Sequence, residues 1–222
     1  SNMIPADPEV VKLVNELYAP FDKELNEVLG KTKNTLYKRD TFFSTFDQLI
    51  NDAIMDEMKC DMSFTPGYRW GTTVLAGDDI LMDNVYEMCG ITYPSVYTFE
   101  LKGKQIANIL EDIADNVFNA NPMYQQGGDM VRVGGMKFSM APTKNIGERI
   151  TDMELNGIPI MPNNKYRVAG WASVAKPGNG QPIWEIVEEY WLDRDKVKRK
   201  VLNQPKIKKI KTKLLIYPRL PS

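Results

Sequence analysis

The stretch from Gly127 to Trp171 constrains the fold most, because it is punctuated too often for a long helix. Gly127, Gly128, Gly134 and Gly135 fall within nine residues and flank a short apolar strand. Strands are expected at 136–141, 150–155 and 165–171, separated by the turn at Asn156-Gly157 and by Pro162-Asn163-Asn164. The helices lie mostly before this run. Consecutive short strands after early helices, rather than a strict alternation of the two, argue an α+β fold.

Apolar spacing of three and four residues marks those helices. Residues 8–29 carry Val10, Val14, Leu17, Tyr18, Phe21, Leu25 and Val28 at that spacing. Pro20 should kink or split the segment and Gly30 should end it. Residues 31–40 read as extended. Ser44–Lys59 reads as a helix with Phe46, Leu49, Ile50, Ala53, Ile54 and Met58 on one face. A short strand, Asp61–Phe64, runs into the loop Thr65-Pro66-Gly67-Tyr68-Arg69-Trp70-Gly71. Asp83–Cys89 is expected to be a helix, Val96–Leu101 a strand, and Gly103–Phe118 a helix with Ile106, Ile109, Leu110, Ile113, Ala114 and Val117 inward. A loop from Lys176 to Pro182 precedes a last helix, Ile183–Leu192.

The chain has 222 residues, 43% of them hydrophobic, which suffices for one good-sized domain with extra segments. No stretch approaches the ~18–20 apolar residues of a membrane span. Ser1-Asn2-Met3 reads as a tag-cleavage remnant, with any targeting signal expected upstream. Histidine is absent, which argues against imidazole-based triads and most hydrolytic di-metal sites in this chain alone, though not against a carboxylate-only site. Cys60 and Cys89 are too few for a disulfide framework and read as buried structural thiols. Residues 193–222 carry eleven Lys/Arg against two Asp/Glu, so the rest of the chain is acidic. The tail is either a packed or solubilising extension or a contact for an acidic partner surface. Its near-absence of aromatics, Tyr217 alone, argues against nucleic acid.

Three constellations stand out. Arg69, after a strand in a Gly/Pro loop, suits bidentate contact with an oxyanion, or else a surface salt bridge. Gly127 and Gly128 allow positive φ or close approach to a ligand, with Asp129 and Arg132 adding opposite charges. The alternative is a strand edged by tight turns in which the two charges merely pair. Tyr93, Trp171 and Trp184 lie near loops and could wall a pocket, although aromatics at such positions are more often core.

Taken in order, several segments resemble the C-terminal domain of the 5'-nucleotidase superfamily. They are Gly77-Asp78-Asp79-Ile80 through Asn84-Val85-Tyr86, Thr92-Tyr93-Pro94, Glu100-Leu101-Lys102-Gly103-Lys104-Gln105-Ile106, Arg149-Ile150, Asn156-Gly157 and Asn164-Lys165-Tyr166-Arg167-Val168. The resemblance implies a mixed sheet with flanking helices. It divides the chain into a remnant and long N-terminal connector helix over 1–30, a substrate-specificity domain over 31–192, and a basic extension over 193–222. The nucleotidase base-clamping signatures are replaced, by Tyr68-Arg69-Trp70-Gly71, Thr92-Tyr93-Pro94 and Gly178-Asn179-Gly180-Gln181-Pro182.

Those replacements resemble the SoxB branch. Tyr124-Gln125-Gln126-Gly127-Gly128-Asp129-Met130-Val131-Arg132-Val133-Gly134-Gly135 carries this most strongly, with Arg69-Trp70-Gly71-Thr72-Thr73, Glu111-Asp112-Ile113-Ala114-Asp115-Asn116 and Val168-Ala169-Gly170-Trp171-Ala172-Ser173-Val174 in agreement. What this implies is a periplasmic thiosulfohydrolase that releases sulfate from a cysteine S-thiosulfonate on the carrier SoxYZ. Two manganese ions would sit in an N-terminal metallophosphoesterase domain outside this chain, which would itself bind no cofactor and be inactive alone. Substrate would meet Arg69, Tyr93, Gly127, Gly128, Asp129, Arg132 and Trp171. The alternatives are the specificity domain of a periplasmic 5'-nucleotidase or sugar-nucleotide hydrolase, and a non-catalytic module that docks a carrier protein.

Overall fold

A computed structural model describes residues 4–68, 70–90, 93–173, 179–192 and 205–208. Its helices are α1 (Pro8–Tyr18), α2 (Asp22–Leu25), α3 (Thr45–Met58), α4 (Met82–Cys89), α5 (Gly103–Phe118) and α6 (Ile183–Leu192). The strands are β1 (Val28–Lys31), β2 (Met62–Thr65), β3 (Asp79–Leu81), β4 (Tyr97–Lys102), β5 (Arg132–Gly134), β6 (Met136–Met140), β7 (Ile150–Leu155), β8 (Ile158–Pro159), β9 (Lys165–Gly170) and β10 (Lys206–Ile207). The fold is mixed α+β.

The central sheet has the order β4-β9-β2-β5. β2 runs parallel to β9, while β4 and β5 run antiparallel to their neighbours. Successive residues point to opposite faces, and β2 is buried on both. Met62 and Phe64 join Val168, Ile106 and Leu110 in one apolar core with α5. On the other face Ser63 and Thr65 donate to Asn51 Oδ1 of α3, at 2.8 and 3.1 Å. Ala169 and Trp171 join Phe46, Ile50 and Ile54 of α3 and Ile183 and Val187 of α6 in a second core. A second sheet, β10-β6-β7-β8, extends the α5 side, and β1 pairs with β3 in a small ribbon.

Residues 8–29 split around Pro20, one of the two outcomes expected there, but they do not continue as helix to Gly30. Pro20 lacks an N–H and its ring obstructs the preceding turn. The chain accordingly leaves the helix at Tyr18, makes the short α2, and becomes strand β1 at Val28. Gly30 therefore does not cap a helix. It lies in β1, where a Cβ would come within 2.4 Å of the Trp191 indole nitrogen. Two short strands escape any periodicity argument, β3 and β8, the latter pairing with β7 across the expected turn at Asn156-Gly157 in a hairpin. The hairpin turn has φ of 52° and 80° at those residues, as a type I′ turn needs. Lys206–Ile207 of the basic tail pairs parallel with Ser139–Met140. Lys208 reaches Asp152 at 2.7 Å. No described helix is long and apolar enough to cross a membrane.

Candidate functional site

The register brings separate loops together. Tyr97 faces Gly170, Phe64 faces Gly170, and Thr65 faces Arg132. The ends of β2 and β9 and the beginnings of β4 and β5 thus share one end of the central sheet. The loops 66–71, 93–96, 127–131 and 171–173 all leave from there. A cleft of about 350 Å³ opens between these loops and the outer turns of α5. Phe64, Ile113, Val117 and Val131 give it apolar walls, and Asn116 and Asp129 supply polar groups.

Three of the residues singled out from sequence line this cleft: Gly127, Asp129 and Trp171. Gly127 and Gly128 have φ of +82° and +84°, so the glycines are there for their backbone. The Asp129 N–H donates to the Gly67 carbonyl at 2.9 Å. Gly67 is required at this crossing, since a Cβ there would lie 2.4 Å from the Met130 carbonyl oxygen. Trp171 belongs to both readings of an aromatic near a loop. It is buried in the α3-side core, yet it also borders the cleft. Its indole N–H is buried without a hydrogen-bond partner among the described residues, beside the cleft. The next residue, Ala172, has φ of +61°, a conformation costly for a residue with a Cβ.

The other residues fall elsewhere. Arg132 is only 4% exposed and lies beneath the cleft loops. Tyr93 is exposed and is not among the cleft's walls. Trp184 packs edge-on against Tyr86, with ring centroids 5.8 Å apart. Arg69 lies outside the described residues. Its neighbours are described: Tyr68 and Trp70 stack at 4.0 Å, and Tyr68 meets Trp171 edge-on at 5.9 Å.

Beneath these loops lies a buried ionic network that the sequence reading missed. Lys38 Nζ contacts Asp47 Oδ1 at 2.8 Å with both side chains essentially inaccessible. Arg132 approaches Asp47 Oδ2 at 3.3 Å and Asp129 Oδ2 at 3.5 Å. Two cations thus face two carboxylates, as buried charges require. Ser44 caps α3, its hydroxyl oxygen accepting from the Asp47 N–H at 3.0 Å and its O–H donating to Asp47 Oδ2 at 2.7 Å. Arg132 also donates to the carbonyls of Thr41 (3.4 Å), Asp40 and Met130. It therefore ties the 38–41 segment, α3 and the glycine-rich loop into one unit. Only the adjacency of Asp129 and Arg132 hinted at this network, because nothing local marks Lys38 or Asp47 as buried.

Burial sets the acid–base character of the groups nearby. Tyr68 is pushed well above the ordinary phenol range by burial, with the charges at Cys89 and Asp47 adding to the effect, and its O–H donates to the Met88 carbonyl. Burial pushes the Cys89 thiol up to about 12. Both cysteines are free, and neither is an activated nucleophile. Among the described residues no group of three His, Cys, Asp or Glu could hold a metal ion.

Comparison with known proteins bears on what this arrangement is. Residues 27–186 match the family model described as 5'-nucleotidase, C-terminal domain. The sulfate thiohydrolase SoxB of Thermus thermophilus, solved in complex with glycerol, is 36% identical over 100% of this chain, with a TM-score of 0.84. A 5'-nucleotidase precursor from Thermus thermophilus shares the fold at 18% identity over 91% of the chain, with a TM-score of 0.75. The NAD nucleotidase of Haemophilus influenzae does so at 19% identity over 85%, with a TM-score of 0.57. The chain spans 41%, 44% and 35% of these proteins, less than half of each. No curated protein matches it. The matched model covers most of the chain, and the chain belongs to the 5'-nucleotidase C-terminal-domain family.

Proposed function

We propose that this chain is the substrate-binding C-terminal domain of a SoxB-like thiosulfohydrolase, an enzyme that releases sulfate from a cysteine S-thiosulfonate on the carrier SoxYZ. The observation that carries this reading is the 36% identity to a sulfate thiohydrolase over the whole chain. The cleft at the sheet end supports it. Gly127, Gly128 and Asp129 would line the path of the carrier's peptide arm. Trp171 would wall it and could offer its unpartnered N–H to a substrate oxygen. Tyr93 would stand at the rim. Arg69 would hold the sulfonate oxygens, and Arg132 would act by fixing Asp129.

Residues 31–192 would form the specificity domain and 193–222 a basic extension. Residues 1–30 would connect to a metallophosphoesterase domain that belongs to the longer protein. The connector role is supported by α1, in which no residue is buried and Val10, Leu13, Val14 and Leu17 are exposed. The manganese ions of such an enzyme do not fit the described residues here and would belong to that other domain, where they would activate water. The same reading would place the enzyme in the periplasm.

In the two-domain enzyme, Arg69→Ala is expected to lower kcat/KM on a thiosulfonate-loaded carrier by about 10²-fold, the scale of one lost charge-assisted contact in the transition state. A loss under about threefold would remove Arg69 from the reaction.

A further inference from the structure

Lys38 has an unusual environment for a lysine. It is 2% exposed, whereas the other described lysines reach water. Its ammonium donates to Asp47 Oδ1 and to the Met88 carbonyl, both at 2.8 Å. It also lies 3.9 Å from the centroid of the Tyr68 ring and 5.6 Å from that of Trp171, within cation–π range of both. Tyr68 donates its O–H to the same Met88 carbonyl. One buried charge therefore holds the ring of Tyr68 from its face, while a shared acceptor holds its hydroxyl end.

The consequence lies in the loop. Tyr68 stacks on Trp70 at 4.0 Å with the planes 17° apart, and Trp70 is exposed. Tyr68 also meets Trp171 edge-on, and Trp171 borders the cleft. Arg69 sits between Tyr68 and Trp70 in the chain. Fixing Tyr68 thus fixes both neighbours of Arg69 and one wall of the cleft. Asp47 and Arg132 carry the same constraint across to Asp129. A buried ion pair seldom adds much net stability over an apolar pair of the same shape, so its use is to be sought in specificity of arrangement.

We propose that Lys38 is a positioning residue, whose ammonium sets the Tyr68–Trp70–Trp171 group and thereby one wall of the cleft. The positioning stands on the contacts themselves, whereas its effect on turnover rests on the substrate reading given above. The test compares Lys38→Met with Lys38→Arg in the full chain. The indole N–H resonances of the four tryptophans are assigned by single Trp→Phe variants. Lys38→Met is expected to move the Trp70 and Trp171 resonances and to leave those of Trp184 and Trp191 in place, and Lys38→Arg is expected to restore the wild-type positions. Unmoved Trp70 and Trp171 resonances in a folded Lys38→Met chain would overturn the proposal, as would equal movement of all four. If Lys38→Met does not fold, Lys38→Arg and Tyr68→Phe carry the same comparison. Tyr68→Phe keeps the ring but loses the hydroxyl, and is expected to shift Trp70 and Trp171 less than Lys38→Met does. In the two-domain enzyme Lys38→Met is expected to lower kcat/KM on thiosulfonate-loaded carrier by about tenfold, with Lys38→Arg recovering most of the loss. Selective resonance shifts with unchanged kinetics would overturn the substrate role of this cleft wall while leaving the positioning intact.

Discussion

Two ion pairs of nearly equal length sit in opposite surroundings. Lys38–Asp47 spans 2.8 Å with side chains 1% and 0% exposed, whereas Lys165–Glu100 spans 2.9 Å with side chains 64% and 67% exposed. The second joins two neighbouring strands, β4 and β9, and water screens it. The first has no water to fall back on, so each partner is obligatory to the other. Distance alone ranks the two equal. Burial makes the first a fixed part of the site and leaves the second an ornament of the surface.

The contrast breaks or holds on substitutions. Asp47→Ala leaves Lys38 buried and takes one carboxylate from Arg132, so urea unfolding is expected to show a loss of about 3–5 kcal/mol. A loss below about 1 kcal/mol would mean that water reaches the pair and that the contrast is false. A double-mutant cycle on Lys38 and Asp47 is expected to give a coupling of about 1–3 kcal/mol, and the same cycle on Lys165 and Glu100 none that is measurable. Ser44→Ala removes the α3 cap and one hydrogen bond to Asp47, at about 1–2 kcal/mol. Glu100→Gln is expected to leave Tm unchanged. On the acid side, hydrogen bonds from Arg149 and then Asn119 hold the Asp115 carboxyl below its ordinary value of 3.8. The stability this contributes is present above that ordinary value and is lost as pH falls through the lowered folded value. Asp115→Asn should therefore flatten the stability profile only below about pH 4, as followed by urea titration across pH.

The same dependence on surroundings decides what was legible in the sequence. Helices 103–118 and 183–192 and strand 150–155 match their expected bounds, because amphipathic period and turn residues are local signals. Yet α1 carries an apolar stripe of the same kind as α5 and buries nothing, whereas α5 buries Ile106, Leu110 and Ala114 against the sheet. Periodicity announces a helix and a face, but not the surface that meets the face. The glycine-rich run 127–135 was readable because φ near +80° has few residues that can supply it. Lys38 and Asp47 were not. A lysine in an extended segment and an aspartate in a first helical turn look solvated until the chain closes over them. Trp171 shows a limit of another kind, since one indole can serve a core and a cleft together.

The most direct test of the proposed function is a substrate comparison on this chain joined to the proposed metallophosphoesterase domain, supplied with manganese. Sulfate release from a thiosulfonate-loaded SoxYZ carrier is measured beside phosphate release from AMP. Sulfate from the carrier, little phosphate from AMP, and a drop of about 10²-fold in the former with Arg69→Ala are expected. Ready hydrolysis of AMP with no sulfate from the carrier would contradict the proposed function and make this chain the specificity domain of a nucleotidase.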